Sequence, residues 1–112
     1  MYKYKAFVTR VLDGDTYDMS VNLGFGIKID IRVRLNGIDT PETWRPKTDS
    51  EREHGEKATK FVMNLISNKT VEIETYKLGI YGRYSASVQL PDGRSLVSLL
   101  KMAGFEKRND YI

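Results

Sequence analysis

The stretch Ile27-Lys28-Ile29-Asp30-Ile31-Arg32-Val33-Arg34-Leu35 decides the fold class. Apolar and charged residues alternate over nine positions without a break, the period of a strand with one buried face. Ile27, Ile29, Ile31, Val33 and Leu35 are expected to face the core, and Lys28, Asp30, Arg32 and Arg34 the opposite side. Upstream, Gly24-Phe25-Gly26 supplies a hairpin turn. Tyr17, Met19, Val21 and Leu23 alternate with polar neighbours in a second strand. The run from Tyr4 to Leu12 mixes β-branched and aromatic residues as a first strand.

Downstream of the alternating stretch, Thr43 to Asp49 reads as a loop around Pro46. Ser50-Glu51-Arg52-Glu53 fits a capping box and opens a helix. Ala58, Phe61, Val62, Leu65 and Ile66 keep the spacing of one buried helical face, and Asn68 is its expected stop. Strands follow from Val71 to Thr75 and from Tyr84 to Leu90, with Pro91-Asp92-Gly93 turning the chain out of the last. A short second helix is expected from Ser95 to Ala103, ending at Gly104. The pattern predicts an α+β, mainly β, single domain over residues 1–112. It is a five-stranded OB-fold barrel with a long helix between strands 3 and 4 and a short C-terminal helix.

The chain has 112 residues, enough for one modest core. Its 40% hydrophobic and 29% charged residues exclude a disordered polyelectrolyte. Eighteen Lys and Arg against 15 Asp and Glu leave a formal charge of +3, which favours a polyanionic partner only weakly. No apolar run approaches the ~18 residues that span a bilayer, so no membrane association is expected. The absence of cysteine excludes a disulfide framework and a thiolate metal site. The N-terminus begins with strand-like residues and no apolar signal core, so a cytoplasmic location is expected.

Three short motifs carry the chemistry: Asp13-Gly14-Asp15-Thr16, Arg34 through Glu42, and Tyr81-Gly82-Arg83. They supply carboxylates suited to holding a cation and guanidinium groups suited to holding an anion. Phosphodiester hydrolysis needs both, because an anionic centre must accept a negatively charged nucleophile. Each motif alone has a plainer reading. Asp13-Gly14-Asp15 can be a polar turn, with Asp13 a turn former or an outer carboxylate. Arg34 can be a solvated strand residue like Arg32, and Thr40-Pro41 can simply start a loop. Tyr81 is balanced between nucleotide stacking and ordinary packing. Trp44 can touch substrate or cover the barrel rim. His54, the one histidine, is expected on a solvated helix face.

Taken together and in this order, the motifs resemble those of the staphylococcal nuclease family, over roughly Val11 to Gly104. Asp13-Gly14-Asp15-Thr16 is similar to the family's D-G-D-T turn, Arg34 to Glu42 to its R-L-x-x-I-D-x-P-E segment, and Tyr81-Gly82-Arg83 to its Y-G-R. The resemblance implies a Ca2+-dependent nuclease that cleaves DNA and RNA, with single strands preferred. It further implies that water attacks phosphorus in line and the 5′ oxygen leaves, so that the products end in a 3′-phosphate. It also implies roles: Asp15 and Asp39 as metal carboxylates, Thr40 as a metal ligand through its backbone carbonyl, and Glu42 as the group that orients or deprotonates water. Arg34 and Arg83 would contact phosphate, and Tyr81 would lie near the nucleotide. A monomer is expected.

Two departures from the family pattern stand out. Ile80 occupies a position where the secreted archetype carries a lysine. The chain also stops before the archetype's third helix, with Tyr111 one register away from a tyrosine of the segment preceding it. Two readings without catalysis remain open: a silent barrel binding nucleic acid or a modified peptide, and a structural oligonucleotide-binding domain.

Overall fold

The computed structural model describes residues 2–43, 45–78 and 84–111. Five strands and two helices follow in the order β1 (Tyr2–Asp13), β2 (Thr16–Gly24), β3 (Ile27–Leu35), α1 (Asp49–Ile66), β4 (Thr70–Leu78), β5 (Tyr84–Gln89) and α2 (Leu96–Met102). The strands close a barrel in the order β1-β2-β3-β5-β4, with β1 returning to pair with β4. All pairings are antiparallel except β3 with β5, where Val33, Arg34 and Leu35 face Tyr84, Ser85 and Ala86. This is the expected OB-type barrel, with α1 between the third and fourth strands.

Period-two alternation fills the barrel. Val8 of β1, Tyr17 and Met19 of β2, Val33 and Leu35 of β3, Ile73 of β4 and Val88 of β5 are all buried. Helix α1 closes one opening with Ala58, Val62 and Ile66, spaced one turn apart, while Phe61 and Leu65 pack at the edge of the core. Leu96 and Leu100 of α2 complete it. Burying side chains of this size stabilises a fold by about 1.5–3 kcal/mol each before conformational entropy is set against it.

Three expectations need correction. The first strand is longer than the stretch from Tyr4 to Leu12, and its register shifts between Val8 and Arg10 and again between Val11 and Asp13. The helix begins earlier than Ser50. Thr48 is extended and its hydroxyl accepts the Glu51 backbone N–H at 3.1 Å, so the capping pair is Thr48 and Glu51. Finally, the apolar face of β3 is buried only at its end. Val33 and Leu35 are inside, Ile31 is half-buried, and Ile29 and Ile27 are 38% and 53% exposed. The β2–β3 hairpin outruns the barrel, so its alternation meets solvent on both faces. Asn68 does end the helical segment, in the left-handed conformation at φ 56°.

Candidate active site

The C-terminal end of β3 and the β1–β2 turn meet at one rim of the barrel. The Leu35 N–H donates to the Asp15 carbonyl at 2.8 Å, fixing the acidic turn to the strand that carries Arg34. Below the turn, the buried Tyr17 hydroxyl donates to the Gly14 carbonyl at 2.5 Å. Burial and the nearby Asp15 and Asp13 carboxylates push the Tyr17 pKa well up, so the phenol remains a donor.

Gly14 is required by close approach. A Cβ there would lie 2.7 Å from Thr40 Oγ1 and 2.9 Å from Thr40 Cβ, so any side chain would separate the acidic turn from the loop after β3. That contact brings the Thr40 backbone N–H to 3.1 Å from Asp15 Oδ2. Asp15 Oδ1 accepts from the Thr16 hydroxyl at 3.2 Å. The Thr40 hydroxyl is itself buried, with no hydrogen-bond partner among the described residues.

Arg34 sits between the two candidate metal carboxylates. Its guanidinium lies 3.3 Å from Asp15 Oδ2 and makes a short ion pair with Asp39 Oδ1. The same group donates to the carbonyls of Leu35 at 3.0 Å and Ile38 at 3.1 Å. Asp15 forms the inner wall, with its side chain 12% exposed, and Asp39 the outer wall at 73%. A half-open cavity of about 440 Å³ runs alongside, lined by Arg34, Asn36, Asp39, Ser85 and Glu106.

Glu42 is half-buried, and its charge reaches Asp13. The Asp13 carboxyl is raised to about 6, first by burial and then by the Asp15 and Glu42 charges, against the pull of the Gly14 N–H and Arg34. Five of the seven candidate residues, Asp15, Arg34, Asp39, Thr40 and Glu42, thus surround one rim. Tyr81 and Arg83 lie outside the described residues, as do Trp44 and Ile80.

The donor chemistry fits a hard cation. Asp15, Asp39 and the Thr40 carbonyl all offer oxygen, and the two carboxylates already gather around the positive charge of Arg34. Among the described residues no three acidic or histidine side chains form a ready cage. Two carboxylates and a carbonyl would leave most of a hard cation's coordination sphere to other oxygens.

Several supporting residues escaped the sequence reading. Gly55 of α1 lets the helix cross the loop bearing Glu42, since a Cβ there would sit 2.7 Å from the Pro41 carbonyl oxygen and 3.0 Å from that of Glu42. A glycine inside an otherwise helical pattern was the available signal. Glu51 is fully buried, accepting from the Lys47 N–H at 3.1 Å, with Lys107 Nζ at 4.0 Å. Lys107 in turn donates its backbone N–H to the Asp39 carbonyl at 2.7 Å. His54 is half-buried rather than solvated, with its ring nitrogens 2.6 Å from the Tyr111 hydroxyl and 2.8 Å from the Gly104 carbonyl. Tyr111 therefore has its hydroxyl committed to the helix.

The model of staphylococcal nuclease homologues matches residues 32–108. The chain belongs to the staphylococcal nuclease family. It is 38% identical over 96 residues to a thermonuclease of Staphylococcus intermedius, covering 84% of this chain and 54% of that protein. It is 32% identical over 96 residues to a micrococcal nuclease of Shigella flexneri, covering 82% and 48%. An uncharacterized endonuclease of Escherichia coli is 31% identical over 97 residues, covering 87% and 56%. The chain spans about half the length of the curated relatives it matches.

Proposed function

We propose that this chain is a Ca2+-dependent nuclease that hydrolyses phosphodiester bonds of DNA and RNA, with single strands preferred. Family membership supports the reaction class. The observation that carries the reading is the seating of Arg34 between Asp15 and Asp39, which puts cation-binding and anion-binding groups on one rim.

Asp15, Asp39 and the Thr40 carbonyl would hold the ion. When bound, it supplies Lewis-acid polarisation of a phosphoryl oxygen and helps position water. Arg34, already oriented by the Leu35 and Ile38 carbonyls, turns its remaining N–H groups to the phosphate oxygens as their charge grows. Glu42, held by the rigid turn through Pro41, takes the water's proton or orients the water in line with the leaving 5′ oxygen. Arg83 adds a second guanidinium, and Tyr81 lies against the nucleotide. The contacts go to phosphate rather than to base edges, so both DNA and RNA are accepted.

The test is cleavage of labelled single- and double-stranded DNA and RNA with Ca2+ or with a chelator. Calcium-dependent shortening to 3′-phosphate ends, faster on single strands and lost in Asp39→Ala, is expected. Binding without cleavage would overturn the reading in favour of a silent module.

A further inference from the structure

The other end of β3 is unpartnered in two ways. On the side away from β2, β3 meets β5 only at Val33, Arg34 and Leu35, so from Ile27 to Arg32 no strand lies against this edge among the described residues. Its apolar residues are also exposed at Ile27 and Ile29. An exposed apolar strand edge presents a row of N–H and C=O groups to any other strand.

We propose that this edge pairs with the same edge of a second copy of the chain, antiparallel, about a two-fold axis through Ile29. The charges and the β5 contact together select this register. With Ile29 opposite its counterpart, Lys28 of each copy faces Asp30 of the other, and Ile27 faces Ile31 on the opposite side of the ribbon. Centring the axis on Asp30 sets Asp30 against itself and Lys28 against Arg32. Centring it on Lys28 sets two lysines face to face. An axis on Ile31 would also pair unlike charges, Asp30 with Arg32, but it draws on an Arg32 already engaged by Asp18 and sets Ile29 against Val33, where β5 already lies. A half-step register sets residues of opposite faces against one another, so no two-fold ladder forms there.

Neither Lys28 nor Asp30 has an ion-pair partner among the described residues, whereas Arg32 is engaged by Asp18 at 2.8 Å. The two unlike pairs of the ribbon are thus the ones the isolated chain leaves open. Such exposed pairs add little affinity but fix the register, while backbone pairing and the isoleucine contacts hold the copies together.

Mass measurement by sedimentation and light scattering, over a range reaching millimolar concentration, tests this. The wild-type chain is expected to reach twice the chain mass. Asp30→Lys, which places lysines opposite one another twice, is expected to raise the dissociation constant at least about tenfold. The double exchange Lys28→Asp with Asp30→Lys restores the unlike pairs and is expected to restore dimerisation. Ile29→Lys, an edge charge on the axis, is expected to abolish it. Circular dichroism of each variant checks that the barrel is intact. A single-chain mass for the wild type at every concentration, the sequence expectation, overturns the proposal. So does a dimer indifferent to Asp30→Lys and Ile29→Lys, or one that the double exchange fails to restore.

Discussion

One strand, β3, has two unlike ends. From Val33 onward it is held between β2 and β5, and Arg34 is gripped by two carboxylates and two carbonyls. From Ile27 to Ile29 the same alternation continues, yet both faces meet solvent. The residue types scarcely differ between the ends. Burial comes from what is packed against a strand, and the barrel closes only around one end. The closed end is the one that carries the acidic turn, Arg34 and the loop to Glu42, so rigidity is concentrated where groups must be aimed.

Truncations at the two ends break this comparison most strongly. Leu35→Ala, inside the barrel, is expected to cost about 2–5 kcal/mol in denaturant unfolding. Ile27→Ala is expected to stay within about 0.5 kcal/mol. Equal losses would show that the hairpin tip is packed after all. For function, Arg34→Lys keeps the charge but removes the fork that reaches several oxygens at once. Turnover on single-stranded DNA is expected to fall on the order of 10²–10³-fold with a much smaller change in KM. A weakened KM with turnover preserved would make Arg34 a binding group only.

Gly55 sharpens the contrast from another direction. A methyl group there must displace the carbonyls of Pro41 and Glu42, so Gly55→Ala tests whether the site end is held in one geometry. Helix propensity alone would make the change stabilising by up to ~1 kcal/mol. Backbone crowding is expected to reverse the sign to a loss of about 1–3 kcal/mol, with activity falling alongside. Higher stability with full activity would show that the loop yields freely.

The barrel, the helix positions and the three motifs were legible because each rests on local pattern: period two, period 3.6, or turn chemistry. What was not legible depends on contacts between distant segments. Gly14 looks like any turn glycine, and its reason is the Thr40 side chain 26 positions away. Ile27 and Ile29 look like core because alternation reports that a strand is amphipathic, not how far its partners extend. Glu51 and His54 look like ordinary charged and polar helix residues, and their partners come from elsewhere in the chain: the Lys47 N–H and Lys107 for Glu51, and Gly104 and Tyr111 for His54. Tyr81 and Arg83 fall outside the described residues, so their placement is still carried by the motif.

The acidic turn also gives the site end a pH signature. The Asp13 carboxyl is raised from 3.8 to about 6 in the fold, so the folded chain binds more protons than the unfolded one between those values. Stability from this group is therefore fully present below pH 4 and is lost as pH rises through 6. The loss is on the order of 1 kcal/mol after discounting for the partial exposure of the group. Asp13→Asn is expected to flatten the profile of the metal-free chain in that window. An unchanged slope would assign the window to other groups.

A further, small effect concerns how the C-terminal segment is fastened to the site end. The Gly104 carbonyl can only accept, so His54 Nε2 carries a proton, and in the neutral ring Nδ1 accepts from the Tyr111 hydroxyl. That hydroxyl also accepts the Arg108 N–H at 3.3 Å, one residue beyond Lys107, whose own N–H holds the Asp39 carbonyl. Tyr111→Phe keeps the ring packed between His54 and the Arg108 guanidinium and deletes only the hydroxyl. A net loss of about 0.5–1.5 kcal/mol is expected, since His54 is partly solvated and water can replace the phenol. Hydrogen exchange locates the consequence. If the fastening matters to the site, the Arg108 and Lys107 amides exchange faster in Tyr111→Phe while those of Val33 and Leu35 do not. Unchanged protection at Lys107 would mean that Phe105 packing on Phe61 secures the segment alone, and that the histidine–tyrosine pair only trims its end.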